Sequence, residues 1–175
     1  GGVLLFAKDK ETNAIIGKQF ADRKINKQYL AIVRGYTPSE DTIDYDLTND
    51  RGKVQNAITE YKTFQHTEIP ISSGRFSTSR YSLVELKPET GRMHQLRKHM
   101  SHIRHPIIGD RPHGCSKQNR FFKKEFDMIT MLLHAQSLSF NHPYTHSELV
   151  IQAPLQVEFQ RMIKQLGFRD IGNKM

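Results

Sequence analysis

The sequence predicts one α+β domain. Three observations predict it: β-rich alternating runs spread along the chain, amphipathic stretches of helical period between them, and 175 residues without an internal repeat or long linker. Residues 3–7 read as a short apolar strand. Residues 11–24 follow as an amphipathic helix with Ala14, Ile15, Ile16, Phe20 and Ala21 as its apolar positions. Residues 28–34 alternate and are β-rich through Tyr29, Ile32 and Val33. A turn at 37–41 leads to a polar strand near 42–46. Residues 57–65 form a further strand with Thr59, Tyr61 and Thr63 on one face. The Ser- and Gly-rich stretch 70–79 is a loop, and 81–87 is a strand. Residues 112–127 are expected to be irregular and basic. Residues 132–140 are a strand, and 148–152 pair nearby. Pro154 opens a last helix with Leu155, Phe159, Met162, Ile163 and Leu166 on one face, stopped by Gly167.

The segment 89–110 is the most chemically loaded part of the chain. Met93, Leu96, Met100 and Ile103 recur at helical spacing. One face can therefore bury while the other presents Arg92, His94, Arg97, Lys98 and His102. Thr90-Gly91 is the turn before this helix, and His105-Pro106 ends it. A row of cations on one rigid face is an electrostatic footprint for phosphate. The net charge of +8 points the same way, to a polyanionic partner. A single cysteine, Cys115, excludes an intrachain disulfide framework and fits a reducing cytoplasmic setting. No apolar run approaches membrane-spanning length.

Four motifs resemble one family. Gly91-Arg92-x-His94-Gln95-Leu96-Arg97-x-His99, followed by His105-Pro-Ile-Ile-Gly-Asp110, resembles the arginine motif of the RluA family of pseudouridine synthases. Gly2-Val-Leu-Leu-Phe-Ala-Lys8 is similar to the tail of that family's catalytic motif. Lys27-Gln-Tyr29-Leu-Ala-Ile-Val-Arg-Gly35 resembles its tyrosine motif, and Leu132-Leu133-His134-Ala-Gln-Ser-Leu-Ser-Phe140 its C-terminal strand motif. The four run in family order. Arg104 and Met93 depart from the usual pattern. The 73–81 segment and the His113-Gly114 and Gln118-Asn119-Arg120 groups are closer to a branch that modifies a tRNA uridine, in the T-stem next to the acceptor stem.

The resemblance implies a mixed, mainly antiparallel sheet with flanking helices. It implies isomerisation of uridine without metal or cofactor, with RNA, most specifically tRNA, as partner. On residues alone Tyr29 is equally an ordinary strand aromatic; the resemblance sets it against the target base. Arg92 matches the arginine that pairs with the nucleophilic aspartate. That aspartate would precede Gly1, so the chain as written reads as an N-terminally incomplete catalytic domain.

The remaining candidates have bland and functional readings side by side. Leu133 is a candidate apolar wall of the base pocket. His94 and His99 read as structural hydrogen-bonders. His102, Arg104 and His105 lie near the expected RNA surface. Lys117, Arg120, Lys123 and Lys124 interleave with Phe121, Phe122 and Phe126. They form either a solvated basic turn over a core or a groove for the RNA backbone. Arg23, Lys24, Lys27 and Arg34 would extend such a groove. The surrounding cations argue against a metal at the histidines. Other classes are an RNA-binding module without catalysis, an rRNA-modifying relative, and a metal-dependent nuclease. The incomplete motif yields a prediction. Incubated with tRNA, the chain as written should form no pseudouridine above background. Conversion would show that another residue supplies the attack.

Overall fold

Strand β1 (Asn26–Arg34) carries the run Leu30-Ala31-Ile32-Val33, each of which is fully buried. A strand apolar on both faces belongs in the middle of a sheet, and β1 sits there. The computed structural model describes residues 1–169. Helix α1 (Lys10–Ala21) precedes β1. Then come β2 (Glu40–Asp44), the short β3 (Leu47–Thr48) and β4 (Val54–Gln55), and the long β5 (Ile58–Ile69) and β6 (Ser79–Pro88). Helices α2 (Gln95–His102) and α3 (Ser116–Phe126) follow, then β7 (Leu133–Asn141), β8 (Glu148–Gln152) and α4 (Val157–Gln165). The main sheet has the order β2-β5-β6-β1-β7-β8, and every neighbouring pair is antiparallel.

The alternation of β1 divides the core in two. Ala31 and Val33 face α2, together with Val84, Leu86, Leu96, Met100 and Ile107. Leu30 and Ile32 face the other way, onto Phe122 of α3 and onto Phe159, Met162 and Ile163 of α4. Helix α1 covers a smaller cluster through Ile16, against Ile25, Leu138 and Phe140. Each fully buried side chain of this size contributes about 1.5–3 kcal/mol. The chain passes from the α2 face to the α3 face through a short crossing beside β1. There Arg34 N–H donates to the Pro106 carbonyl at 3.1 Å, and Ile108 N–H to the Ile32 carbonyl at 3.0 Å. Gly109 makes the exit: its φ is +81°, and a Cβ there would run into the Thr130 carbonyl.

Several expectations need correction. Residues 3–7 are not a strand. Gly2 makes one isolated bridge to Ala135, and Val3 N–H donates to the Ala135 carbonyl at 2.8 Å. Beyond it Val3 and Leu5 are half-buried while Leu4 and Phe6 are exposed. Residues 112–127 are not irregular, because 116–126 form α3. Its period had been masked by lysines, but Gln118 and Phe122 one turn apart are its buried face. Helix α2 starts two residues later than the spacing of Met93 suggested. His94 takes a left-handed conformation at φ 57° as its N-cap, which leaves Met93 exposed outside the helix. Helix α1 stops at Ala21, and its Phe20 is exposed. The β3–β4 hairpin was not anticipated; Asn49 forms its turn by accepting from the N–H groups of Arg51 and Lys53. No helix among the described residues is long and apolar enough to cross a membrane.

Candidate active site

Tyr29 pairs with Leu86 on β6 and with Ala135 on β7, and Ala135 bridges Gly2. Residues opposed in register share a face. Leu86, Tyr29, Ala135 and Gly2 therefore form one row across the sheet. Leu133 lies two residues from Ala135, opposite Ala31. Tyr29 and Leu133 both pack, partly buried, on the cluster that holds Leu96 and Met100 of α2. Burial raises the Tyr29 phenol above its usual value. It stays protonated at neutral pH, which suits stacking and hydrogen-bond donation.

Arg92 lies in the turn between β6 and α2, and that turn is held by Gln95. The Gln95 Oε1 accepts from Arg92 N–H at 3.0 Å and from the Thr90 hydroxyl at 2.7 Å. Its Nε2 donates to the Ile58 carbonyl at 2.8 Å and to Thr59 Oγ1 at 3.0 Å. All four bonding positions of this buried amide are used. Thr59 in turn contacts His99 Nδ1 at 3.0 Å, and His99 Nε2 contacts the Tyr45 carbonyl at 3.0 Å. A carbonyl only accepts, so Nε2 carries the proton. Burial lowers the His99 pKa and favours the neutral ring, with Thr59 donating to Nδ1. The Arg92 Nε donates to the Asn56 carbonyl at 2.9 Å. Among the described residues no carboxylate pairs with its guanidinium. Lys27, two positions from Tyr29, donates to the Thr90 carbonyl at 3.2 Å. The Arg92 turn and the Tyr29 strand are thereby brought side by side.

The other candidates divide. Arg97, expected to face RNA, turns inward. Its Nε and Nη2 grip the two Asp110 oxygens at 2.8 and 2.7 Å, with the side chains only 15% and 1% exposed. Burial alone would raise the Asp110 carboxyl, but the Arg97 fork and the His113 N–H outweigh it and hold it low. His94 Nδ1 lies 3.1 Å from His113 Nε2. Lys98 reaches the Thr48 carbonyl at 3.4 Å, and His102 stacks on Tyr45 at 3.6 Å. Arg104 is exposed at the end of α2 in a left-handed conformation, φ 65°. Lys117 and Arg120 are exposed on α3, on the opposite face of the sheet from Tyr29. Among the described residues no group of three or more His, Cys, Asp or Glu side chains is set to hold a metal. Gln95, Thr59 and Tyr45 were missed. Only the position of Gln95 inside the arginine motif hinted at it.

The fold that carries these residues is that of a known class. The model of the RNA pseudouridylate synthase family matches residues 1–102. The chain belongs to that family. It is 44% identical to the tRNA pseudouridine synthase C of Vibrio parahaemolyticus, over 92% of this chain and 70% of that protein. It is 40% identical to that of Salmonella typhi, over 97% and 70%. Human RNA pseudouridylate synthase domain containing 4 shares the fold at a TM-score of 0.69, with 24% identity over 91% of this chain and 69% of that one.

The inward arginine gives a prediction. Asp110→Asn should destabilise the fold by about 3–5 kcal/mol, because it strands a largely buried guanidinium. Urea unfolding reads this directly. The Asp110 carboxyl is depressed in the fold, so its contribution is present above its unfolded value and lost as pH falls through the lower folded one. Wild-type stability should therefore drop on acidification below about pH 4, and that drop should be shallower in the variant. An unchanged midpoint would mean that the pair does not hold the crossing.

Proposed function

We propose that this chain binds a tRNA uridine as part of a pseudouridine synthase acting in the cytoplasm, at the T-stem next to the acceptor stem. The observation that carries the reading is the row Gly2–Ala135–Tyr29, in which one strand separates Gly2 from Tyr29, with the Arg92 turn adjoining. In the family motif the attacking aspartate lies just ahead of the residue matching Gly2. A carboxylate reaching from there past Ala135 would find the Tyr29 ring and an arginine that has no other acid partner among the described residues. The names of the relatives support tRNA as the substrate.

The uridine flips from its helix and stacks on Tyr29, with Leu133 as the apolar wall. Arg92 keeps the aspartate ionised and orients it through its fork. The aspartate attacks the nucleoside, at the sugar C1′ or at uracil C6, the N1–C1′ bond breaks, and the uracil turns. C5 then bonds to C1′, the bond to the aspartate breaks and frees the carboxylate, N1 takes up a proton, and loss of the C5 proton completes pseudouridine. Lys98, His102 and Arg104 lie on the α2 side, where the flanking backbone would pass, and Lys117 and Arg120 lie round the sheet on its other face. Arg97 and His94 act on the RNA indirectly, by holding α2 and His113.

The test compares affinities for tRNA with and without the base at the target uridine. Stacking of one base is worth about 1–3 kcal/mol, so Tyr29→Ala should weaken binding of intact tRNA about tenfold, and Tyr29→Phe far less. Neither should alter binding of the abasic tRNA. Affinity for both RNAs should fall steeply with salt. Equal losses on both RNAs would favour a binding module without a uridine pocket.

A further inference from the structure

The 73–81 segment, which sets this sequence apart from the wider family pattern, takes no part in the row that holds Tyr29. It lines a separate cavity of about 630 Å³ between the β5–β6 connection and the start of α3. Besides Arg80, three cations border that cavity: Arg34 from the end of β1, Arg75 from the connection, and Lys117 from α3. Among the described residues none of the three has a carboxylate at ion-pair distance. The acid in the wall, Glu68, is already engaged by Arg80, Thr78 and Tyr36. Phe76 stands in the same wall with 73% of its surface exposed.

The cavity is built rather than incidental. Ser73 N–H donates to the Ser79 hydroxyl at 3.0 Å, and the Gln118 amide donates to Ser73 Oγ at 2.6 Å. The buried Tyr81 hydroxyl fixes the other end of that amide at 2.9 Å. The connection is therefore pinned to α3 from beneath, while its arginine and phenylalanine are left outward. Unpaired cations call for an anion, and an exposed aromatic ring calls for a flat apolar partner. An unpaired nucleotide offers both on one ligand. Inorganic phosphate would leave the ring unused.

We propose that this cavity binds an unpaired nucleotide of the RNA, its phosphate among Arg34, Arg75 and Lys117 and its base on Phe76. The proposal rests on the RNA reading above. Arg34 lies five positions along β1 from Tyr29 (34 − 29), roughly 17 Å at the rise of an extended strand. The nucleotide held here is thus not the one being isomerised. The site fixes the RNA at a second point, round the end of the sheet, and the 73–81 segment reads RNA shape away from the reaction.

Fluorescence anisotropy with tRNA and with a short single-stranded RNA tests it. Phe76→Ala should weaken both complexes about tenfold, and Phe76→Tyr should restore most of the loss. Arg75→Ala and Lys117→Ala should each reduce the slope of log affinity against log salt by up to about one. The Tyr29-dependent preference for tRNA with its target base should survive in all of these variants. Thermal melts check that they fold. Binding by Phe76→Ala equal to wild type, or unchanged salt slopes, would overturn the nucleotide site while leaving the uridine reading intact. Failure of the wild-type chain to bind any RNA would overturn both.

Discussion

The site depends on one buried amide. Gln95 bonds the Arg92 N–H and the Thr90 hydroxyl with its oxygen, and the Ile58 carbonyl and Thr59 with its nitrogen. Those partners lie on the turn, on β5 and, through Thr59, on His99 of α2. Leaving one of them without its partner would cost about 1–3 kcal/mol, so the turn has little freedom to drift. Burial favours the proton arrangement in which His99 is neutral and Thr59 donates to it. Protonating His99 would remove its acceptor for Thr59. Because burial lowers its pKa, stability involving His99 declines as pH falls below its unfolded value near 6.5. The geometry of Arg92 is thus inherited from groups that never touch RNA.

The same motif uses its cations in opposite ways. Arg97 is spent inward on Asp110, which ties α2 to the crossing segment that threads beside β1. Lys98 and Arg104 remain toward solvent. A guanidinium gripped by two carboxylate oxygens and mostly buried cannot also neutralise a phosphate without breaking the pair. Charge counted along a helix therefore overstates what RNA sees. The unpaired cations come instead from four separate elements: the end of β1, the end of α2, the start of α3 and the β5–β6 connection.

Much of this was legible in the sequence, for definite reasons. Strands β1 and β6 announced themselves because both faces are largely buried, which enforces β-branched and apolar runs, whereas β7 alternates buried and half-buried positions. The final helix was readable from the spacing of Phe159, Met162 and Ile163. Helix α3 was not, since Lys117, Lys123 and Lys124 surround just two buried positions, Gln118 and Phe122, and one of those is polar. Residues 3–7 have strand composition, yet beyond Val3 no described strand pairs with them. Tyr29, Arg92 and Leu133 were named through family resemblance and not through their own chemistry. The inward turn of Arg97 was illegible because its partner, Asp110, lies thirteen positions away, across the end of the helix (110 − 97). The short β3–β4 hairpin, which contributes the Thr48 carbonyl near Lys98, carries too few residues for any period to show.

The most direct measurement places a photoreactive uridine at the T-stem position of a tRNA and maps the crosslinked peptide by mass spectrometry after tryptic digestion. The account predicts attachment within residues 28–34, at Tyr29, and loss of that crosslink in Tyr29→Ala. Crosslinks confined to α3 or to the 70–79 connection, with none near Tyr29, would contradict a uridine pocket between Gly2, Tyr29 and the Arg92 turn.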